Sequence, residues 1–253
     1  MTAPLFHLAP GALDGAAAGT VVTLTGAEGH HAATVMRLAA GEQIQLSDTR
    51  GIRAGGVVLS AGDGQLSVEV QELTLEPALR PQLVLVQALA KDKRDLQAVE
   101  SATELGVDAV IPWEAQRSVA RWKPGREAKK HAEWVNTVRS AAKQTRRTVI
   151  PEVRGLHTTA QYLHAVRGDQ GVDVIVLHEL EEKPLRESLE EVQEAQELHL
   201  VVGPEGGITD SEVEQLLAAG ARTARLGPHV LRSSTAGPAA LAAVQLLLGR
   251  WDS

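Results

Sequence analysis

The feature that most constrains the fold is an alternation, from residue 82 onward, of short apolar runs with longer stretches of helical periodicity. The apolar runs are continuous, which is typical of strands buried on both faces of a parallel sheet. They lie at 83–89, 109–112, 172–177 and 198–202, and the helical stretches lie at about 92–105, 126–145, 184–196 and 210–219. We therefore predict an open α/β sheet with helices on both faces.

Two of the predicted helices carry further signals. Thr209 and Glu212 have the spacing of a capping box, and Gly220 stands where a glycine would end the same helix. The last helix, at roughly 234–248, is apolar on almost every side. Such a helix must be buried, either inside its own domain or against another subunit, and we favour the subunit interface.

The first 75 residues have a different pattern. Short runs, several of them with period-two alternation, lie at 21–24, 43–46, 56–59 and 66–70, with Gly-Asp and Asp-Gly turns between runs and one helical piece at 30–39. The proline-bracketed segment 76–81 is the best domain boundary. We predict a small β-rich domain over 1–75, a linker over 76–81 and an α/β domain over 82–253, which is a comfortable division for 253 residues.

Composition excludes several kinds of site. The chain has no Cys, which removes disulfides, thiolate metal sites and a Cys nucleophile. The adjacent His30 and His31 diverge on a helix and spacing places no third ligand, so we expect no metal. No Gly-x-Ser-x-Gly elbow supports nucleophilic hydrolysis. No run approaches the ~20 apolar residues of a membrane span, and we expect a soluble, cytoplasmic protein.

Charge is distributed unevenly along a chain whose net charge is −7. From Arg117 to Arg154, eleven Lys and Arg stand against three Glu, a local net charge of +8. Eight Glu in 179–197 stand against two cations, a local net charge of −6. The basic segment can attract a polyanion to one face. The alternative is a solvated helix face that pairs with the Glu-rich stretch, and both interpretations stay open.

Ligands of open α/β sheets bind outside the carboxyl ends of the strands, and the loop 203–207 follows one such end. Its three glycines allow a ligand to approach the backbone closely, and Pro204 stiffens the turn. The loop lacks both the G-x-G-x-x-G pattern and a P-loop Lys, so it carries neither the dinucleotide nor the nucleoside triphosphate fingerprint. A plain strand–helix turn is the alternative.

A second loop, 226–236, follows a short strand at 222–226 and opens the last helix. Ser233, Ser234 and Thr235 are candidates to cap that helix. Arg232 lies beside the N-terminus of that helix, where the helix dipole disfavours a cation unless an anion lies close, so Arg232 is a candidate to bind an anionic ligand. The alternative is that Arg232 pairs with one of the Glu residues of the chain. Composition and spacing thus predict an α/β ligand-binding domain joined to a small β domain, without naming a reaction.

Seven short motifs follow one another along the chain. They are Gly29–His31 through Met36–Leu38 with Gly41 and Glu42, Ala88–Lys91, Ala102–Val107, Gln116–Val119, Ala142–Arg147, Gly203–Gly207, and Leu226–Pro228 with Leu231 and Arg232. In this order they resemble the RsmE-type family of the SPOUT superfamily, bacterial methyltransferases that modify N3 of a uridine in 16S ribosomal RNA. Gly-Pro-Glu-Gly-Gly followed about twenty residues later by Leu-Gly-x-x-x-Leu-Arg is a specific pattern.

The resemblance implies a trefoil-knotted α/β methyltransferase domain, a PUA-like N-terminal β-barrel that binds RNA, and a homodimer that acts on the small ribosomal subunit. It also implies S-adenosylmethionine as methyl donor, held mainly by backbone groups. The implied cofactor-binding residues are Leu177, Gly203, Pro204, Glu205, Gly206, Gly207, Leu226, Gly227, Leu231, Ser233, Thr235 and Ala236.

For the reaction, we assign to Arg232 the stabilisation of negative charge that develops on the uracil. Glu205 is a candidate general base or, alternatively, a carboxylate that structures its loop. We assign RNA contacts to Arg37, Arg117, Arg121, Lys143, Arg146 and Arg147.

Two residues depart from the family's pattern. Ser234 stands where Glu is usual, and Ser101 stands where a Lys is common, so roles that rest on that Glu or Lys are not carried over. Three alternatives remain: a non-catalytic RNA-binding or ribosome-assembly module, a methyltransferase that acts on another RNA position, and a hydrolase that uses the glycine loop for phosphate.

Overall fold

The computed structural model describes residues 3–179, 181–192 and 195–251. The chain forms two compact units. The N-terminal unit consists of the chain up to Ala78 together with Ala142–Ile150, and the α/β unit consists of Leu79–Ala141 and the chain from Pro151 onward. The division after Ala78 falls within the predicted linker 76–81, whereas Ala142–Ile150, which the sequence places in the α/β domain, packs with the N-terminal unit.

The N-terminal unit is built on a five-stranded sheet. Its strands are β1 (Leu5–His7), β2 (Val21–Leu24), β3 (Gln43–Ser47), β4 (Ile52–Gly62) and β5 (Gln65–Leu75), in the order β1-β3-β4-β5-β2. β1 runs parallel to β3, and the other neighbours are antiparallel. Leu46, Val58 and Val68 belong to its buried core, as alternation of apolar and polar residues requires.

The helical piece predicted at 30–39 begins earlier and ends earlier. Helix α1 spans Gly26–His30 and continues as a π-helical turn over His31–Val35. Arg37 then adopts a left-handed backbone with φ of 57°, which ends the helical path.

A parallel sheet forms the centre of the α/β unit, as predicted. Its strands are β6 (Gln82–Ala88), β7 (Ala109–Glu114), β8 (Glu152–Val153), β9 (His157–Thr158), β10 (Val172–Leu177), β11 (Glu197–Val202) and β12 (Arg222–Ala224). The order is β12-β10-β11-β6-β7-β8, and β9 also pairs with β7. All of these pairs are parallel.

Among the described residues, six further α-helices follow the strands: α2 (Arg94–Glu104), α3 (Glu127–Gln144), α4 (Thr159–Val166), α5 (Leu185–Glu190), α6 (Asp210–Ala218) and α7 (Ser233–Leu247). The capping box at α6 is confirmed, since Thr209 Oγ1 accepts from the Glu212 N–H at 3.2 Å and Glu212 Oε2 accepts from the Thr209 N–H at 3.1 Å. Helix α5 is shorter than the predicted 184–196, of which 193 and 194 lie outside the described residues. No helix in the described ranges is long and apolar enough to cross a bilayer.

Helix α7 packs against β6 and β11 of the sheet and against helices α2 and α5. A Cβ added to Gly237 would lie 2.8 Å from Leu85 Cδ1, so the glycine lets the helix approach β6. Leu241 and Val244 are fully buried on the same helix, whereas Leu246 is 59% exposed. Within one chain, therefore, the apolar surface of α7 is only partly covered.

Candidate functional site

A cavity of about 550 Å³ lies at the carboxyl ends of β10, β11 and β12. These strands are parallel neighbours, so the loops that follow them meet at one edge of the sheet. Eleven of the twelve predicted cofactor-binding residues line this cavity: Leu177, Gly203, Pro204, Glu205, Gly206, Gly207, Leu226, Gly227, Leu231, Ser233 and Ala236. Thr235, the twelfth, is exposed and lies outside the lining.

The glycine loop packs closely against neighbouring side chains of the same chain. A Cβ at Gly203 would lie 2.7 Å from Ile208 Cγ1, and a Cβ at Gly206 would lie 3.2 Å from Arg117 Cβ. Gly207 has φ of +73°, a backbone conformation that glycine adopts without steric cost. The glycines therefore let the loop pack against Ile208 and Arg117 while all three of them line the cavity.

Buried hydrogen bonds join the two predicted ligand loops through the interior. Gln87, which is fully buried in β6, donates from Nε2 to Ser233 Oγ at 2.9 Å. Ser233 Oγ in turn donates to the Gly203 carbonyl at 2.9 Å. This chain from Gln87 through Ser233 to Gly203, which we call the loop relay, fixes the glycine loop relative to the start of α7.

The loop relay also corrects the predicted cap of α7. Arg232 is the N-cap residue, and no side-chain hydrogen bond caps the helix there. Ser233 is therefore not a cap, because its hydroxyl is engaged by Gly203 and Gln87 instead. Gln87 was not predicted as a site residue, and its only signal in the sequence is a single polar residue within an apolar run.

Arg232 lines the cavity and is exposed. Its carbonyl accepts from the N–H groups of Thr235 and Ala236 at 2.8 and 2.9 Å, which sets the first turn of α7. In the part of the chain that the structure describes, its guanidinium has no hydrogen-bonding or ionic partner. The alternative of pairing with a Glu is thus not observed in that part, and the charge of Arg232 is available to a ligand.

Glu205 joins the glycine loop to the turn that follows β6. Its Oε1 accepts from the Lys91 N–H at 3.2 Å and from Arg94 Nη1 at 3.3 Å. Arg117 supports the same loop by donating from Nη1 to the Gly206 carbonyl at 3.2 Å. Of the two interpretations of Glu205, these contacts favour a carboxylate that structures its loop.

The predicted RNA-contacting residues belong to both units. Arg117 and Arg121 lie in the α/β unit, where Arg121 forms an ion pair with Glu114. The other four lie in the N-terminal unit: Arg37, Lys143, Arg146 and Arg147. The basic segment between Arg117 and Arg154 is therefore divided between the two units.

Within the N-terminal unit, side chains of the sheet hold the backbone of 142–150. Arg53 Nη2 donates to the Arg146 carbonyl at 2.9 Å, and His7 Nε2 lies 2.9 Å from the Arg147 carbonyl. Ser47 Oγ donates to the Thr148 carbonyl at 2.6 Å. These bonds occupy the backbone of the segment and leave the side chain of Arg146 exposed.

Lys143 is less available than Arg146. Its Nζ lies 2.6 Å from Glu28 Oε1 and 5.8 Å from the centroid of the Phe6 ring. Other cations of the basic segment are also paired within the molecule, since Lys130 binds Glu133 at 2.8 Å and Arg154 binds Glu197 at 2.5 Å. Of these three pairs, Arg154–Glu197 is the one that reaches the Glu-rich stretch 179–197, so the predicted pairing with that stretch is observed for Arg154.

A second cavity, of about 610 Å³, lies at the amino ends of β10 and β11. His199, which is 2% exposed, has Nε2 2.8 Å from Glu197 Oε2 and Nδ1 2.9 Å from the Tyr162 hydroxyl. Burial lowers the pKa of His199, and hydrogen bonds from His199 and Arg154 lower the pKa of Glu197. These four side chains satisfy one another, which is the pattern of a structural network.

Comparisons with known families agree with both units. Residues 77–245 match the family described as RNA methyltransferase domain, and residues 24–71 match the RNA methyltransferase PUA domain. The chain is 45% identical over 239 residues to a ribosomal RNA small subunit methyltransferase E of Mycobacterium bovis, which covers 93% of this chain and 90% of that protein. The corresponding protein of Bacillus subtilis is 32% identical over 229 residues, 88% of each chain.

Solved structures of methyltransferases are also similar to this chain. A ribosomal RNA small subunit methyltransferase E from Neisseria gonorrhoeae, bound to S-adenosyl methionine, aligns with a TM-score of 0.82 at 25% identity, covering 97% of this chain and 98% of that one. A putative methyltransferase from Legionella pneumophila, in complex with the same cofactor, aligns with a TM-score of 0.81 at 26% identity and the same coverage.

Proposed function

The chain belongs to the family of ribosomal RNA small subunit methyltransferase E, and from that premise we propose that it methylates N3 of a uridine in 16S ribosomal RNA with S-adenosylmethionine as donor. The observation that carries the proposal is the cavity at the carboxyl ends of β10, β11 and β12, which eleven of the twelve implied cofactor-binding residues line.

The cavity fits the cofactor in size and in lining. A volume of about 550 Å³ lies within the usual range for small-molecule sites. Gly203, Gly206 and Gly207 line the cavity and have no side chains, so they would hold the cofactor through their backbone groups. When bound, the cofactor supplies an electrophilic methyl group on its sulfonium.

Arg232 is the proposed catalytic residue. Uridine N3 must release its proton, here to solvent, before it can take a methyl group, and the uracil ring carries negative charge on N3 and its two carbonyl oxygens until the methyl group is in place. A guanidinium that lines the cavity without an ionic partner among the described residues is suited to stabilise that charge. Because the N3 edge is buried in a base pair, the target uridine must be unpaired or extruded.

RNA binding is assigned in part to the segment 142–150 of the N-terminal unit. Up to Ala78 the chain carries three Arg against eight Asp and Glu, so that stretch alone repels phosphate. Lys143, Arg146 and Arg147 supply three further cations to this unit. We assign phosphate contacts to these residues and to Arg37, and further contacts to Arg117 and Arg121 of the α/β unit.

The assembly and the finer fold are also proposals. The family resemblance supports a trefoil knot in the α/β unit, a closed PUA-like barrel in the N-terminal unit, a cytoplasmic location and a homodimer. Exposed apolar side chains at the end of the last helix, including Leu246 at 59% and Trp251 at 48%, support a subunit interface there.

The test is nucleoside mass spectrometry on small subunits from a strain that lacks the gene. Purified protein with S-adenosylmethionine should add one methyl group to a uridine of 16S ribosomal RNA, and fragmentation should place it on N3. A methyl group on a ribose or on another base would overturn the assigned position. Binding of cofactor and RNA without any transfer would favour the non-catalytic module.

A further inference from the structure

We propose that the turn Lys91–Lys93, which follows β6 beside the cofactor cavity, docks phosphates of the substrate RNA, and that Glu205 of the glycine loop holds this turn in its docking shape. We call these three residues the basic turn. The proposal rests on the proposed function, because it assigns to RNA a surface next to the methyl-transfer site.

The backbone of the basic turn is strained. Asp92 has φ of 55° and ψ of 32°, and Lys93 has φ of 59° and ψ of 24°. Two consecutive left-handed residues that are not glycine cost conformational free energy, and such strain concentrates at functional sites. Both side chains are exposed, so packing of these side chains does not explain the conformation.

The contacts that hold the turn come from its neighbours. Glu205 Oε1 accepts from the Lys91 N–H at 3.2 Å on one side and from Arg94 Nη1 at 3.3 Å on the other. Asp95, which is 8% exposed, accepts from the Leu96 N–H at 2.9 Å and secures the start of α2. The strained turn is thus tied directly to the loop that would hold the cofactor.

The position of the two lysines favours RNA as their ligand. Arg94 and Glu205 line the cofactor cavity, whereas Lys91 and Lys93 do not. Both lysines are exposed, and in the described ranges neither ammonium makes a hydrogen bond or ion pair. A compact ammonium outside the cavity, but tied to its rim, suits a phosphodiester oxygen of the strand that presents the target uridine.

Charge removal tests the docking role. The full chain carrying Lys91→Gln or Lys93→Gln is compared with wild type by filter binding to 16S ribosomal RNA over a salt series. Each variant should flatten the slope of log affinity against log salt by about 0.7 to 0.9, which is about a threefold smaller loss of affinity between 50 and 200 mM salt. Affinity for S-adenosylmethionine, measured by calorimetry, should stay unchanged.

Arg167→Gln is the matched control. Arg167 is an exposed cation between α4 and β10, at the amino edge of the sheet, and its removal changes the net charge by the same amount. Its salt slope should equal that of wild type. If the slope of log RNA affinity against log salt is the same for wild type as for both the Lys91 and the Lys93 variants, the docking role is wrong.

Substitutions of two acidic residues distinguish a positioning role of Glu205 from the effect that removal of any negative charge has on RNA affinity. Asp92→Asn keeps a residue that tolerates the left-handed backbone and removes a negative charge, so RNA affinity should rise. Glu205→Ala also removes a negative charge, yet RNA affinity without cofactor should fall, because the turn loses its anchor. A rise for Glu205→Ala would overturn the positioning role, since charge alone would then explain both variants. Failure of wild type to transfer a methyl group would overturn the proposed function, while these binding comparisons would still decide the docking role.

Discussion

Arg232 combines two properties at one position, since its backbone begins α7 and its guanidinium lines the cofactor cavity. Backbone amides of the first turn are already engaged with its carbonyl, so replacing the side chain should leave the helix start intact. The side chain can therefore be tested separately from the fold.

We expect Arg232→Ala to keep most RNA affinity and to lose methyl transfer. Removing a preorganised charge from a transition state typically costs about 10²- to 10³-fold in rate. The measurement is single-turnover methylation at saturating RNA, with RNA binding measured alongside. A variant that loses binding but keeps the single-turnover rate would show that Arg232 docks the RNA instead.

His199 makes the stability of the α/β unit sensitive to mild acid. Burial lowers its pKa in the folded chain, while an unfolded His titrates near pH 6.5. As pH falls below about 6.5, the unfolded state takes up a proton that the folded state does not, and stability declines by at most about 1.4 kcal/mol per pH unit. Glu197, whose pKa is lowered by His199 and Arg154, adds a further loss below about pH 4.3.

Urea unfolding at pH 7.5 and 5.5 measures this effect. His199→Gln should be less stable than wild type at pH 7.5 but should lose less stability on acidification. His164→Gln, at an exposed position on α4, is the control and should follow wild type. If wild type and His199→Gln lose equal stability between the two pH values, His199 is not the sensitive group.

At the scale of elements, the loop relay links β6, β11 and α7 around the cavity. Ser233→Ala leaves the Gly203 carbonyl without its buried donor and removes one of the two acceptors of the Gln87 amide, a cost of about 1–3 kcal/mol. We expect weaker S-adenosylmethionine binding as the glycine loop loosens, measured by calorimetry. Ser233→Thr keeps the hydroxyl and should retain affinity; if both variants bind as wild type does, the loop relay does not position the loop.

The elements that sequence predicted are those with a local signal. Continuous apolar runs gave β6, β10 and β11, and the Thr209–Glu212 spacing gave the start of α6. Helix α4 (Thr159–Val166) was missed although it carries local signals, a Thr158–Gln161 capping box and the helical spacing of Tyr162, Leu163 and Val166. At eight residues it is shorter than the helices that were predicted. The basic turn was also missed, because its left-handed residues are Asp92 and Lys93 and not the glycine that usually marks such a turn.

At the scale of the whole molecule, assembly depends on the uncovered end of α7. Leu246 is 59% exposed in a single chain, while Leu241 on the same helix is fully buried. In the proposed homodimer, Leu246→Glu should give monomers or aggregates, because an unpaired charge in an apolar contact is costly. Light scattering measures the state of assembly. A stable, fully active dimer with this change would place the interface elsewhere.

Contacts between residues that are far apart in the sequence could not be predicted at this scale. The cation count of 117–154 was visible in the sequence, but not that 142–150 packs with the N-terminal unit. The bonds responsible join residues about one hundred positions apart, such as Ser47 to Thr148 and Arg53 to Arg146, and each is a single polar contact without a local pattern. Likewise the cavity lining followed from the motifs, whereas its buried support by Gln87 required coordinates.

The exposed Arg146 and its neighbour Arg147 test whether segment 142–150 supplies the N-terminal unit with its RNA contacts. The segment adds three cations to the chain up to Ala78, in which acidic residues outnumber basic ones by five. Removing cations from the segment should therefore weaken the attraction of the N-terminal unit for RNA strongly. Arg146→Ala with Arg147→Ala should weaken RNA binding and flatten the salt slope by about 1.4 to 1.8, since each of the two phosphate contacts contributes about 0.7 to 0.9. S-adenosylmethionine affinity should stay unchanged, because neither residue lines the cofactor cavity. Arg50→Ala, an exposed cation of the same unit, is the control. An unchanged slope in the double variant would mean that the segment is a solvated face and that RNA docks elsewhere.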